Sequence, residues 1–123
     1  MQVMLEFSGK RVVITGAGGG LGMALVTHFS SRGAKVIACD SNLVTGDGIA
    51  SSHEFDLLDV QETAAATTRL LADEGPPDIL INNAGWTRAE SMADLDAAKI
   101  THEIDLNLTG VSRLTEPLAN EMA

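Results

Sequence analysis

The stretch TGAGGGLG, Thr15 to Gly22, puts five glycines into eight positions directly after the apolar run Val12-Val13-Ile14. Glycine loses more backbone entropy on folding than any other residue, so this density calls for a structural reason. The apolar run predicts a strand over residues 10–15, and a helical spacing of apolar residues follows the glycines. That spacing involves Leu21, Ala24, Leu25, His28 and Phe29. The glycines therefore occupy a turn between a strand and a helix, whose N-terminal N–H groups favour a phosphate.

Strand-like and helix-like segments alternate along the rest of the chain. Further strands are predicted at 35–39, 53–57 and 78–81, and the polar segment 41–50 leaves room for at most a turn or two of helix. Asp59 and Glu62 form a capping box that predicts a helix running towards Gly75. A long amphipathic helix is predicted from Asp94 to Met122. This alternation predicts an α/β fold with a parallel sheet covered on both faces.

Composition limits the classes of function. The 123 residues suit one domain, with 45% apolar and 20% charged residues. A net charge of −9 argues against nucleic acid or an anionic membrane as a partner. The single cysteine, Cys39, fits a reducing compartment, and the N-terminus has no apolar stretch typical of a signal peptide or membrane helix. These features predict a cytoplasmic protein, and no metal site is predicted.

Asp40 follows the second strand, after the order strand, glycine turn, helix and strand. A dinucleotide-binding fold places an acid at this point, where it accepts hydrogen bonds from the adenosine ribose. The alternative is a tight turn between strand and helix that binds no ligand.

Four motifs together resemble the short-chain dehydrogenase/reductase family, over most of the chain from Gly9 to Leu118. TGAGGGLG is similar to the family pattern TGxxxGxG, and Asn82-Asn83-Ala84-Gly85 is similar to its NNAG motif. Asp56-Leu57 resembles the acidic and apolar pair that contacts adenine. Asn107 lies where the family carries a catalytic asparagine.

The resemblance implies a role for each matching residue. Gly16, Gly20 and Gly22 would shape the pyrophosphate loop, and Leu21 would open the helix beneath the cofactor. The other cofactor contacts would be Asp40 at the adenosine ribose, Asp56 and Leu57 at the adenine, and Asn83, Ala84 and Gly85 near the nicotinamide ribose. Asn107 would help to hold a water molecule in a proton relay; alternatively, it is a packed helix residue that bonds to neighbouring backbone.

The chain departs from the family in its acid/base residue. The family uses a Tyr-x-x-x-Lys motif, and this sequence contains no tyrosine. The resemblance therefore implies a single domain, 1–123, that is the N-terminal half of a Rossmann-like doubly wound fold, with strand order 3-2-1-4. The function implied is the NAD(H)-binding part of an oxidoreductase. The alternatives are a non-catalytic nucleotide-binding or interaction module and a complete enzyme with an unrelated base.

NAD(H) is expected in preference to NADP(H), because Asp40 would repel a 2′-phosphate and neither Ala17 nor Ser41 supplies positive charge. Structural roles are expected for His28 on the inward face of the first helix, for His53, and for His102 on a solvated face. Cys39 is expected in the core, and Trp86 is expected in an exposed loop or at the substrate entrance.

Self-association is expected from two surfaces. The fourth strand, residues 78–82, would expose an apolar edge with unpaired N–H and C=O groups. In the long helix, the stripe Ile100–Ile104–Val111 is expected to face the sheet, and Leu95, Leu106 and Leu108 widen the apolar arc beyond it. The resemblance implies a dimer formed through this helix.

Overall fold

The computed structural model describes residues 5–86 and 91–122, and its centre is a four-stranded parallel sheet. The strands are β1 (Arg11–Thr15), β2 (Lys35–Asp40), β3 (Ile49–Glu54) and β4 (Ile79–Ile81), and their order is β3-β2-β1-β4. All three pairings are parallel. The expected Rossmann-like α/β fold with order 3-2-1-4 is therefore confirmed, while the expected domain span of 1–123 includes residues outside the described ranges.

Side chains alternate between two separate apolar clusters, one on each face of the sheet. On one face, Val12 and Val36 pack with Val26 of helix α1 (Gly20–Ser30). On the other face, Val13 and Ile37 pack with residues of helices α2 (Val60–Glu74) and α4 (Val111–Met122). The central strands are thus buried on both faces, which explains their nearly continuous apolar sequence.

The starts of the first two long helices follow from local sequence. Gly19 caps α1 without any side-chain hydrogen bond, so the first N–H groups of this helix receive no side-chain partner from the cap. Asp59 caps α2, and its carboxylate accepts a hydrogen bond of 2.9 Å from the backbone N–H of Glu62. The cap at Asp59 therefore places the start of α2 as expected, while the backbone N–H of Asp59 donates to the carbonyl of Asp56.

The predicted third strand, 53–57, is wrong in position. β3 begins at Ile49 and ends at Glu54, so the segment 41–48 is a loop without the turn or two of helix considered for it. Phe55 and Leu57 are buried beyond the end of the strand, in the cluster under α2. Their apolar character reflects burial in that cluster, whereas the more polar β3 is held by backbone pairing with β2.

The predicted continuous helix from Asp94 to Met122 is also corrected. Helix α3 (Ala97–Ile104) begins after its cap Asp96, and a π-helical segment (Asp105–Gly110) connects it to α4. Leu114 and Leu118 are buried, but Ile100 and Ile104 are 44% and 49% exposed rather than facing the sheet. Leu106, expected on the outer arc, is half-buried against the core cluster.

One histidine also differs from expectation. His28 is exposed, because the inward face of α1 carries Gly22 and Val26 with Leu25 and Phe29 half-buried, and its ring contacts Phe29 edge-on. Cys39 is buried as expected, and His102 and Trp86 are exposed. Within residues 5–86 and 91–122, no helix is both long enough and apolar enough to cross a bilayer.

Candidate functional site

A cleft of about 340 Å³ lies at the carboxyl ends of β1 and β2 and beside the segment that follows β4. Parallel α/β sheets form their ligand sites at this edge. The residues that line the cleft include six of the predicted site residues: Gly16, Asp40, Asp56, Leu57, Ala84 and Gly85. The sequence motifs, far apart in the chain, thus meet at one edge of the sheet.

The glycine loop contains positions that the fold itself restricts to glycine. Gly16 has a φ of +64°, and a Cβ there would lie 2.8 Å from the Cα of Ala84. A Cβ on Gly22 would lie 2.0 Å from the carbonyl oxygen of Gly16. Both glycines allow the loop to fold back onto the start of α1 and onto the segment after β4.

Gly20 differs from these two glycines. It is the first residue of α1, and a Cβ built there would meet nothing within 4 Å. Packing within the described chain therefore gives no reason for glycine at this position. A ligand approaching the helix N-terminus closely does give one, and Leu21, the next residue, is 69% exposed at the same place.

Asp40 ends β2 and connects two loops at the cleft. Its Oδ2 accepts a hydrogen bond of 3.0 Å from the N–H of Gly18, and its Oδ1 accepts one of 3.0 Å from the N–H of Asn42. The carboxylate also lines a second, more open groove of about 580 Å³ between the glycine loop and the segment 42–45. None of the described residues that line either cavity is a lysine or an arginine.

Asp56 and Leu57 form the opposite wall of the cleft, after β3. The carboxylate of Asp56 accepts a hydrogen bond of 2.9 Å from the N–H of Leu58, which fixes the turn before α2. Leu57 is 6% exposed and packs into the cluster beneath the cleft. The acid is half-buried beside this apolar wall.

Thr15 positions the Asn-Asn-Ala-Gly segment, a role that the sequence reasoning missed. Its buried hydroxyl accepts hydrogen bonds from the N–H groups of Asn83 (3.0 Å) and Ala84 (2.9 Å) and donates to the carbonyl of Ile81 (3.4 Å). The side chain of Asn83 donates to the carbonyl of Gly16 at 3.1 Å. The sequence signal for this role was Thr15 itself, the first residue of TGAGGGLG. A hydroxyl group has one donor and two acceptor sites, and the hydroxyl of Thr15 uses all three.

Asn107 lies in the π-helical segment and holds the chain just beyond Gly85. Its Oδ1 accepts a hydrogen bond of 2.9 Å from the N–H of Trp86, and its Nδ2 donates one of 2.6 Å to the carbonyl of Trp86. The Trp86 ring contacts the His102 ring edge-on, with centroids 5.7 Å apart. In this arrangement the carboxamide of Asn107 positions the Gly85–Trp86 backbone at the rim of the cleft.

Two titratable groups near the sheet, Cys39 and Glu74, have buried side chains. Burial raises the pKa of the Cys39 thiol to about 12, which keeps it protonated although Cys39 lies against the cleft. Glu74, at the end of α2, has a buried carboxylate that accepts hydrogen bonds from Ser51 (2.5 Å) and pairs with Lys35 (2.9 Å). The buried ring of His53 lies 3.7 Å from the same carboxylate.

Comparison with known proteins shows which family the chain is similar to. Residues 10–123 match the family model described as short chain dehydrogenase. The oxidoreductase UcpA of Escherichia coli K12 is 33% identical over 97% of this chain. A solved structure described as a putative short-chain dehydrogenase/reductase from Burkholderia xenovorans is 28% identical over 96% of the chain, with a TM-score of 0.83.

A third similar protein is the L-sorbose reductase of Gluconobacter frateurii, solved in complex with NADPH and L-sorbose. It is 24% identical over 98% of this chain with a TM-score of 0.82, a likeness that shows the fold. The chain spans about half the length of these relatives: 49% of UcpA, 53% of the Burkholderia protein and 50% of the reductase.

Proposed function

Because the chain belongs to the short-chain dehydrogenase family, whose members bind nicotinamide cofactors, we propose that it forms the NAD(H)-binding part of an oxidoreductase. The whole protein would transfer hydride between the nicotinamide and a carbonyl or alcohol. The observation that carries the proposal is the open space at Gly20, at the N-terminus of α1 and in the same glycine loop as Gly16, which lines the cleft with Asp40 and Asp56. We further propose that the chain is one domain over 1–123 and acts in the cytoplasm.

The proposal assigns the cofactor contacts to residues at this edge of the sheet. Gly16, Gly20 and Gly22 would shape the pyrophosphate loop, and Leu21 would open the helix beneath the cofactor. Asp40 would accept hydrogen bonds from the ribose hydroxyls. The remaining contacts would be Asp56 with the adenine amino group, Leu57 with the ring, and Asn83, Ala84 and Gly85 with the nicotinamide ribose.

Bound in this cleft, the dinucleotide would supply or accept the hydride at its nicotinamide ring. Asn107 would keep the Gly85–Trp86 backbone in place beside that ring. It would also help to hold a water molecule in a proton relay. The 123 residues contain no tyrosine, so the acid/base group that the family resemblance implies is not among them.

Preference for NAD(H) over NADP(H) rests on charge at Asp40. A 2′-phosphate would be brought against this carboxylate, and no described lining residue offers a compensating cation. The similar L-sorbose reductase is solved with NADPH, so the fold itself does not exclude NADP(H), and the proposed preference rests on Asp40 and its surroundings in this chain.

The test is calorimetric titration of the protein with NAD⁺ and NADP⁺, in the wild type and in Gly20→Val. Apart from its chain neighbours and its own helix backbone, a Cβ at position 20 meets no atom of the described residues within 4 Å, so Gly20→Val should keep the fold while dinucleotide affinity falls by at least about tenfold. Ala24→Val, at an exposed position of the same helix, is the matched control and should bind as the wild type does. Equal binding by Gly20→Val and the control would contradict the proposed site.

The second candidate is a nucleotide-binding or interaction module without catalysis, which would use the same cleft and glycine loop. The two candidates agree on dinucleotide binding and differ in turnover. Dinucleotide-dependent oxidation or reduction of a panel of alcohols and carbonyls by the whole protein that contains this chain separates them, because a binding module gives none. The 123 residues alone do not contain the family's acid/base tyrosine and are expected to give no turnover under either candidate.

A further inference from the structure

Gly18 lies at a position that the pattern TGxxxGxG leaves open, yet its surroundings in the folded chain are crowded. A Cβ built on Gly18 would lie 2.9 Å from Cγ2 of Val44 and 3.2 Å from Oδ2 of Asp40. The backbone N–H of Gly18 also donates the hydrogen bond to that same carboxylate oxygen, at 3.0 Å. One residue thus contacts both the proposed ribose-binding acid and the loop after β2.

The requirement for glycine at this position comes from these neighbours and not from the backbone. The φ of Gly18 lies outside the left-handed region, in contrast to that of Gly16, so alanine can adopt the local conformation. A substitution at position 18 therefore reports on contact with Val44 and Asp40 without added backbone strain.

Val44 has little freedom to move away. Its side chain packs against the apolar cluster beneath α1, and its carbonyl accepts a hydrogen bond from the hydroxyl of Ser52 in β3. The β-branched side chain is also stiff about χ1. A methyl group on residue 18 would consequently displace the glycine loop relative to Asp40 more readily than it would displace Val44.

We propose that Gly18 is a positioning residue that fixes the Asp40 carboxylate at the ribose end of the cleft and so sets the choice between NAD⁺ and NADP⁺. The inference rests on the proposed function and adds a determinant to it. The N–H of Gly18 donates a hydrogen bond to one oxygen of the Asp40 carboxylate, and the N–H of Asn42 donates one to the other. Because Gly18 has no Cβ, Val44 can pack close to both groups. A larger residue at 18 separates these three groups, so Asp40 binds the ribose less well and opposes a 2′-phosphate less strongly.

The experiment is titration of the protein with NAD⁺ and with NADP⁺, comparing wild type, Gly18→Ala, Val44→Ala and the double variant. Gly18→Ala should lower the ratio of the NADP⁺ to the NAD⁺ dissociation constant by about tenfold, mainly because NAD⁺ binds more weakly. This is the size of effect expected when a hydrogen bond to a charged group is misplaced. Adding Val44→Ala removes the methyl group that the new Cβ meets, and should restore most of the ratio. A general loss of structure would not be repaired in this way.

Ala24→Val is the control, because it adds bulk to helix α1 at an exposed position that lies outside the glycine loop and is not among the described residues lining either cavity. It should keep the wild-type ratio. A folded Gly18→Ala variant with the wild-type ratio and affinity overturns the inference. So does a changed ratio that the double variant fails to restore. A Gly18→Ala variant that does not fold, and whose folding the added Val44→Ala does not restore, also overturns it. Wild-type protein that binds neither dinucleotide overturns the proposed function itself, and the inference with it.

Discussion

At the scale of single residues, the hydroxyl of Thr15 joins β1 to the segment after β4. It is 2% exposed and accepts the N–H groups of Asn83 and Ala84. Thr15→Val keeps the shape but leaves both donors without this acceptor, so we expect a loss of about 1–3 kcal/mol in the free energy of unfolding. Urea denaturation measures it, and Thr15→Ser, which retains the hydroxyl, should lie much closer to the wild type.

Glu74 gives the fold a dependence on pH. Burial of its carboxylate acts to raise the pKa, but the hydrogen bond from Ser51 and the contacts of Lys35 and His53 outweigh burial and hold the pKa below its ordinary 4.5. A carboxyl group whose pKa is lower in the folded state stabilises the protein above the unfolded pKa and loses that contribution as pH falls through the folded value.

We therefore expect the difference in unfolding free energy between wild type and Glu74→Gln to be constant near neutrality and to shrink below about pH 4.5. Urea denaturation at a series of pH values between 7 and about 3 measures it. Asp47→Asn, in the exposed loop before β3, is the control for a general effect of removing a carboxylate. A difference that grows on acidification would contradict the assignment.

At the scale of elements, local signals predicted the parts of the fold that local contacts build. The glycine turn predicted β1 and α1, and the Asp59 capping box predicted the start of α2. β3 was misplaced because the sequence IASSHE has little apolar pattern of its own, and its position depends on pairing with the neighbouring strand β2. The role of Thr15 was missed because it depends on the segment at Asn83 and Ala84, which is distant in sequence.

The long helix shows a different limit of sequence reasoning. A uniform repeat of 3.6 residues places Ile100 and Ile104 in line with Leu114 and Leu118. The π-helical segment between them has wider turns, which rotate α3 relative to α4, so that only the second pair is buried. Asn107, whose contact with Trp86 forms part of the candidate site, lies within this segment.

Gly110 ends the π-helical segment and should be sensitive to any side chain. A Cβ there would lie 2.7 Å from the carbonyl oxygen of Leu57 and 3.0 Å from that of Asp105, both backbone atoms. Gly110→Ala should therefore lower the unfolding free energy by about 1–3 kcal/mol, even though alanine is the better helix former. Thermal unfolding monitored by circular dichroism measures the change.

Ser112→Ala, two residues further along at an exposed position of α4, is the control for Gly110→Ala and should change stability much less. Wild-type stability in Gly110→Ala would show that α4 can move away from Leu57. In that case the π-helical segment would not be fixed by this contact.

At the scale of the whole molecule, two surfaces favour association of the chain with itself. Among the described residues β4 pairs only with β1, so its other edge is open. Exposed apolar side chains also gather on and around α3: Leu95, Ile100, Ile104 and Leu108 are 44–63% exposed. Ile100 and Ile104 thus add to the apolar arc that the sequence predicted on this helix.

We propose that the chain self-associates at micromolar concentration, chiefly through this helical surface, because burying aliphatic side chains contributes about 25 cal/mol per Å² of area removed from water. Sedimentation equilibrium should give a mass above that of the monomer in the wild type and a monomer in Ile104→Glu. Val60→Glu, which places the same charge at a similarly exposed apolar position on α2, should associate as the wild type does. Unchanged association of Ile104→Glu would instead favour pairing through the β4 edge, and a monomeric wild type would contradict both routes.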